Sequence, residues 1–244
     1  MRGRARGFTL VEVLFAVFVG VVLMAAAYVA MTSGQQSSAG VERKVAAQQD
    51  ARAALQIMGL ELSMASYNPH YMPNMWHDLP AMGGTVSCQG SGNQAYRGIR
   101  EATPTAITVE MDIGENGQAG DDQGEIIRYQ YVGGSAQYIT RETANCGHPR
   151  APGAAQPFLG SSGAPGQPKG VRVINDLQGI SLFRYFDGKS PPTELFPGTT
   201  PADIPKIRRI DITLAVETAE VDPATKKPKQ MVYSTSVLVR NHAF

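Results

Sequence analysis

The sequence predicts an α+β protein in which one long N-terminal helix, membrane-spanning at first and amphipathic beyond, packs on an antiparallel β-sheet head. Three observations predict it. Residues 13–31 are nineteen consecutive positions without a formal charge, nearly all apolar. No proline interrupts the chain from Phe8 to Asn68. After Pro69 the sequence changes to short alternating apolar segments punctuated by Gly and Pro, the signature of antiparallel strands.

The apolar run is long enough to cross a hydrocarbon layer of about 30 Å as one helix. It is too long for the core of a secretory signal, and no small-x-small cleavage site follows it. The processing point that fits lies before the run, at Gly7. Phe8-Thr9-Leu10-Val11-Glu12 then places a carboxylate at the head of the apolar segment. A charged side chain at membrane depth costs at least about 2.5 kcal/mol, so Glu12 calls for a partner of opposite charge.

Beyond residue 31 the composition, rich in Ala, Gln, Glu, Arg and Leu, continues the helix over residues 32–68. Val41, Val45, Ala51, Leu55, Met58 and Leu62 are expected on the side that a globular domain covers, while Ile57 and Leu60 point elsewhere. Asn68-Pro69 ends the pattern, because the residue before proline avoids the α region. At 1.5 Å per residue, about 60 residues make a rod of roughly 90 Å.

The head spans residues 69–244. Ile107, Val109, Met111 and Ile113 alternate with Thr108, Glu110 and Asp112. Ile127, Tyr129 and Tyr131 alternate with Arg128 and Gln130, and residues 138–140 pair behind a Gly133-Gly134 turn. A second set of strands is expected at residues 171–174, 180–186, 207–216 and 232–239. In it Ile210, Ile212, Leu214 and Val216 share a face opposite Asp211, Thr213 and Glu217, so one side is buried, with the rear of the helix as its cover. Residues 147–170 hold eleven Gly or Pro in 24 positions and read as a loop, not an element. An excursion over residues 69–98 carries Met72, Met75, Trp76 and Met82 beside His70 and His77. Its favoured reading is a loop packed on the head rather than a soft-metal site.

Composition narrows the function. With 22 Lys plus Arg against 21 Asp plus Glu, the net charge is +1, which excludes a strongly basic nucleic-acid binder. The four histidines do not cluster and read as solvated loop residues. No Gly-x-Ser-x-Gly, no phosphate-binding Gly-rich loop with Gly-Lys-Ser/Thr and no Cys-x-x-Cys occurs, so the protein is not expected to be an enzyme. Two basic groups, Lys206, Arg208, Arg209 and Lys226, Lys227, Lys229, read as a solvated strand edge and turn rather than a nucleic-acid surface.

The loop between Asp112 and Glu125 is where ligand chemistry is worth weighing. Asp112, Asn116, Asp121, Asp122 and Glu125 supply hard oxygens on a glycine-rich backbone, as calcium requires. Counting Asp112 as the first position of a calcium loop, the third is Gly114 and the twelfth Gln123, which departs from the EF-hand pattern. An acidic hairpin tip facing water is the favoured reading, so no cofactor is expected, with calcium as the alternative.

The N-terminal residues RARGFTLVEVLFAVFVGVVL resemble the leader and start of a type IV pilin or pseudopilin. The resemblance implies a cleaved leader at residues 1–7, cut after Gly7 by a prepilin peptidase that also methylates Phe8. It further implies that residues 8–31 form the filament-core helix and that Glu12 pairs with the Phe8 amine of a neighbouring subunit. Gly20 within FVGVV, the closing strand ending at Asn241, and the Asp/Gly loop before a Tyr-rich strand are similar to PilW-type minor pilins. The expected partners are other major and minor pilins through the helix, the peptidase and methylase, and an inner-membrane assembly platform, with no nucleic acid. The expected location is the bacterial inner membrane, single-pass with a periplasmic head, and then the pilus.

Arg2, Arg4 and Arg6 fit a cytoplasmic leader by the positive-inside bias, and removing them leaves charge −2. A periplasmic head meets an oxidising compartment, so Cys88 and Cys146 are expected to form one intramolecular disulfide. Closing a loop of about 57 residues contributes about 4 kcal/mol in the chain-entropy model. Three functions follow in order: a minor pilin that promotes assembly of a type IV pilus, a minor pseudopilin of a type II secretion system, and a pilus-tip binding or adhesion module.

Overall fold

The computed structural model describes residues 8–76, 94–144, 155–160, 170–222 and 225–243. One helix, α1 (Leu10–Ser63, 54 residues), leads into two antiparallel sheets. The first runs in the order β1 (Ile99–Ala102), β2 (Ala106–Glu110), β3 (Ile126–Val132), β4 (Tyr138–Ala144) and β5 (Gln156–Leu159), each strand beside the next in sequence. The second joins β6 (Val171–Val173), β7 (Phe183–Phe186), β8 (Glu194–Leu195), β9 (Arg209–Thr218) and β10 (Gln230–Leu238) in the order β10-β9-β7-β8, with β6 on the far end of β9.

Helix α1 is uninterrupted because nothing in it breaks the i to i−4 ladder. It ends where Met64 caps the last turn, and Ser66 N–H then donates to the Glu110 carbonyl at 2.8 Å, tying the helix end to β2. Its distal half lies against both sheets. Ala47, Ala51, Ala54, Leu55, Met58 and Leu62 are buried among Ile107, Val109, Tyr129, Ile210, Ile212 and Leu214. Three alanines along this stripe let the backbone come close, and the larger Met58 and Leu62 fill the deep end, each contributing roughly 1.5–3 kcal/mol by burial.

Two features of the helix stripe differ from the expectation. Val41 and Val45 are 59% and 43% exposed, because they lie about a quarter and more than about a third of a turn from the centre of the covered face and ahead of its first residue, Ala47. Ile57 and Leu60 face outward as read.

The strands at residues 106–110, 126–132, 138–144, 171–173, 183–186, 209–218 and 230–238 correspond to the expected ones. Residues 147–170 are not loop throughout: Gln156–Leu159 forms β5, an edge strand where Pro157, lacking an N–H, does no harm. Strand β2 is buried on both faces rather than one. Thr108 and Glu110, on the side away from α1, are covered with Arg100, whose guanidinium contacts Glu110 at 3.1 Å. Strands β1 and β8 have no counterpart in the expected set.

Candidate functional site

The first turn of α1 is built around Thr9 and Glu12. Thr9 N–H donates to Glu12 Oε2 at 3.0 Å, the Thr9 hydroxyl to the same oxygen at 3.2 Å, and Glu12 N–H to Thr9 Oγ1 at 3.3 Å. This is a reciprocal capping box, whose T-x-x-E signal stands in the sequence but was not part of the expectation. Within a single chain, Glu12 is therefore not a bare carboxylate, and its position near the helix N-terminus is favoured by the dipole. Phe8, the expected new N-terminal residue, is 86% exposed just ahead of it. Gly7 lies outside the described residues.

Among the described residues, nothing from the head covers the helix from Leu10 through Met31. Leu14, Phe15, Phe18, Leu23 and Met24 are all exposed, and the most apolar 18-residue window has no residue buried. So long a naked apolar surface is unstable in water and marks a segment that meets lipid or other helices.

The other end of the helix is locked to the head by a polar clasp. Glu61 accepts from Arg141 Nη2 at 2.6 Å and Nε at 3.1 Å, and also from the Tyr129 hydroxyl. Burial and the neighbouring Glu61 carboxylate push the Tyr129 phenol well above its usual range. Nearer the middle of the helix, Arg43 reaches the β9–β10 connection, pairing with Glu220 at 2.7 Å and donating to the Val221 carbonyl at 3.3 Å. Arg52 sits over the Tyr233 ring at 5.7 Å.

The Asp/Gly loop is an open acidic tip only in part: Glu115 and Asp122 are exposed, whereas Asp112 and Glu125 are buried. Asp112 is fully buried, and its two oxygens accept from the backbone N–H groups of Asn116 and Gly117 at 3.2 and 2.9 Å. Glu125, 1% exposed, accepts from Gly114, Gly120 and Asp122 at 2.9, 2.8 and 3.2 Å. Burial pushes the Glu125 carboxyl upward in pKa, and these three donors hold it back. Of the five oxygen-bearing residues weighed for calcium, Asp121, Asp122 and Glu125 have ligand atoms within 4.8 Å of one another. Asp112 is turned to its own loop, and Asn116 donates its amide to Asp121 at 2.7 Å.

The Met-rich excursion packs on this loop as expected of its described part. Met75 and Trp76 are buried with Ala119, and His70 Nε2 lies 2.8 Å from the Glu115 carbonyl. Met82 and His77 lie outside the described residues, as do Cys88 and Cys146. His242 corrects the reading of solvated histidines. It is fully buried, its Nδ1 2.7 Å from Ser66 Oγ and 3.1 Å from the Arg97 carbonyl, its Nε2 2.8 Å from the Ile204 carbonyl. In the basic groups, Lys206 pairs with Asp203, Arg209 with Asp211 and Lys229 with Asp222, while Arg208 donates to the Pro205 and Ile207 carbonyls.

Residues 2–28 match the family described as the prokaryotic N-terminal methylation motif. The match covers the leader, the capping box and most of the uncovered apolar helix, and it supports a type IV pilin-like protein; it does not reach the PilW-type features of the head. No curated protein and no solved structure matches the chain.

Proposed function

We propose that the protein is a minor pilin, a structural subunit that enters a type IV pilus and promotes its assembly after cleavage at Gly7 and methylation of Phe8. The observation that carries this reading is the coincidence, within residues 2–28, of the methylation motif with an apolar helix that the head leaves wholly uncovered. Before assembly the helix anchors the chain in the inner membrane, with the head in the periplasm, where the prepilin peptidase and methylase act on the leader. Afterwards it packs among the helices of major and minor pilins delivered by an assembly platform.

In this reading Glu12 exchanges its bonds to Thr9 for the Phe8 amine of a neighbour, because a carboxylate among apolar helices is tolerated only with a cation beside it. The bulk of the head favours a minor role at the tip or in the priming complex, since a large head is hard to repeat along a filament.

Deletion of the gene in its own host tests the reading. Loss of surface pili, restored by the wild type but not by a Gly7→Trp form that stays uncut, is the expected outcome. Intact pili with a defect in protein secretion would make the chain a minor pseudopilin instead.

A further inference from the structure

Among the described residues, the second sheet ends on a strand whose edge carries neither charge nor proline. β10 is nine residues long and pairs only with β9 among the described residues. Its sequence, QMVYSTSVL, has no charge and no proline, the two devices that most often keep an edge from recruiting another strand.

The ladder tells which backbone groups are left over. Thr218 N–H donates to the Lys229 carbonyl and Val239 N–H to the Arg208 carbonyl, both at 3.0 Å, so the odd-numbered residues of β10 face β9. The N–H and C=O groups of Val232, Ser234 and Ser236 therefore point to the open edge.

Beside this edge runs a groove of about 590 Å³ between β10 and α1, lined by Gln56, Gly59, Leu60 and Ser63 on the helix and by Ser236 and Leu238 on the strand. Leu60 and Leu238 stand 62% and 54% exposed at its rims. Along α1, Val41, Val45, Arg52, Gln56, Gly59 and Ser63 are spaced four, seven, four, three and four apart. They thus form one row on one side of the helix. The two valines that the head fails to cover therefore continue the groove toward the apolar segment.

We infer that the β10 edge and this groove receive an extended segment of a neighbouring subunit, added as a further strand to the second sheet. A row of alternating donors and acceptors left without a strand partner among the described residues is matched by another extended backbone, and the groove beside it admits small and apolar side chains. The row on α1 points along the helix toward the apolar segment proposed above for subunit packing. This inference rests on the pilin reading, but it places the contact on the head rather than on the apolar helix alone.

Hydrogen exchange resolved by residue tests it, comparing the full-length mature protein in detergent micelles with the same protein in purified pili. The amides of Val232, Ser234 and Ser236 are expected to exchange about a hundredfold more slowly in pili, while Tyr233 and Thr235 are protected in both. Ser234→Pro removes one outward N–H and spares the ladder to β9. It is expected to keep the melting temperature and to lower the copies per pilus about tenfold, whereas Ser234→Ala changes neither. Presence in pili with unchanged exchange at the three amides overturns the strand and leaves the pilin reading standing. Absence from pili overturns both. Protection already present in micelles together with a dimeric mass also overturns it, because the edge would then pair with itself.

Discussion

The carboxylate of Glu61, on the last turns of the helix, is gripped by both Nε and Nη2 of Arg141, on the fourth strand of the first sheet. Helix and sheet are 80 residues apart in sequence here, and this clasp sits beside the apolar stripe that ends at Leu62. Hydrogen bonds to charged groups contribute more than neutral ones, and removing one partner leaves the other half-buried and unsatisfied. Glu61→Ala is expected to lower stability by about 2–3 kcal/mol in urea unfolding, and Tyr129→Phe by about 1 kcal/mol. Equal stability of Glu61→Ala and wild type would show that apolar packing alone docks the helix.

His242 makes the fold sensitive to mild acid. Burial, with Arg97 and Arg208 nearby, lowers its pKa from 6.5 to about 4. The folded state thus holds fewer protons than the unfolded state between those values, so stability rises with pH across that window. The contribution is complete above about pH 6.5 and is lost as pH falls toward 4, a total of roughly 3 kcal/mol. Denaturant unfolding at pH 4.5, 5.5 and 7 should show this slope in the wild type, and His242→Gln should flatten it.

In the proposed role Glu12 has two duties, capping and charge pairing, and one substitution separates them. Gln can complete a capping box as Glu does but carries no charge. Glu12→Gln is therefore expected to be cleaved normally and to keep its first helical turn, yet to appear in sheared pili at about a tenth of the wild-type level or less. Immunoblots of whole cells and pili read both quantities. Wild-type incorporation of Glu12→Gln would mean that capping, not charge pairing, is what the residue supplies.

Glu125 organises the Asp/Gly loop through three backbone donors. Replacing it by Gln substitutes an amide N–H₂ for one accepting oxygen, leaving a buried donor facing Gly114 N–H or Gly120 N–H. A loss of about 2 kcal/mol is expected, against little change for the exposed Asp122→Asn. Calorimetry of the two variants checks the contrast, and a comparable drop for both would place the loop's order in the acidic cluster as a whole.

Gly98 adopts φ +83°, and a Cβ there would come within 2.9 Å of the Trp76 ring and 3.0 Å of the Glu110 carbonyl. Gly98→Ala combines a left-handed backbone with a steric clash, so a loss of more than about 2 kcal/mol is expected by chemical denaturation. Tryptophan fluorescence of Trp76 should shift in the same variant.

The parts of this fold that sequence makes legible are those governed by period. Ile210, Ile212, Leu214 and Val216 alternate in β9, and all four are fully buried. The uncharged run and the motif around Gly7 and Glu12 are local signals too, and residues 2–28 match the methylation motif on them. The features that sequence does not reveal depend on partners far along the chain. Nothing near Glu61 announces Tyr129 or Arg141, and nothing near His242 announces Ser66. Val41 and Val45 look like core residues until the extent of the head is known, and Pro157 disguises an edge strand as loop. The Thr9–Glu12 box is different in kind: its T-x-x-E spacing is a local signal, legible in the sequence without any distant partner.

The point at which head first meets stem sets a standoff. If residues 13–31 lie in the hydrocarbon, as proposed, the lowest contacts of the head on α1 among the described residues are at Gly40 and Arg43. The intervening nine residues from Met31 to Gly40 amount to about 14 Å of bare helix. Headgroups occupy only about 5–8 Å on each side of the bilayer. In the proposed membrane-anchored form the described part of the head stands clear of the lipid on a short neck, and that gap leaves room for a neighbour's helix to lie alongside.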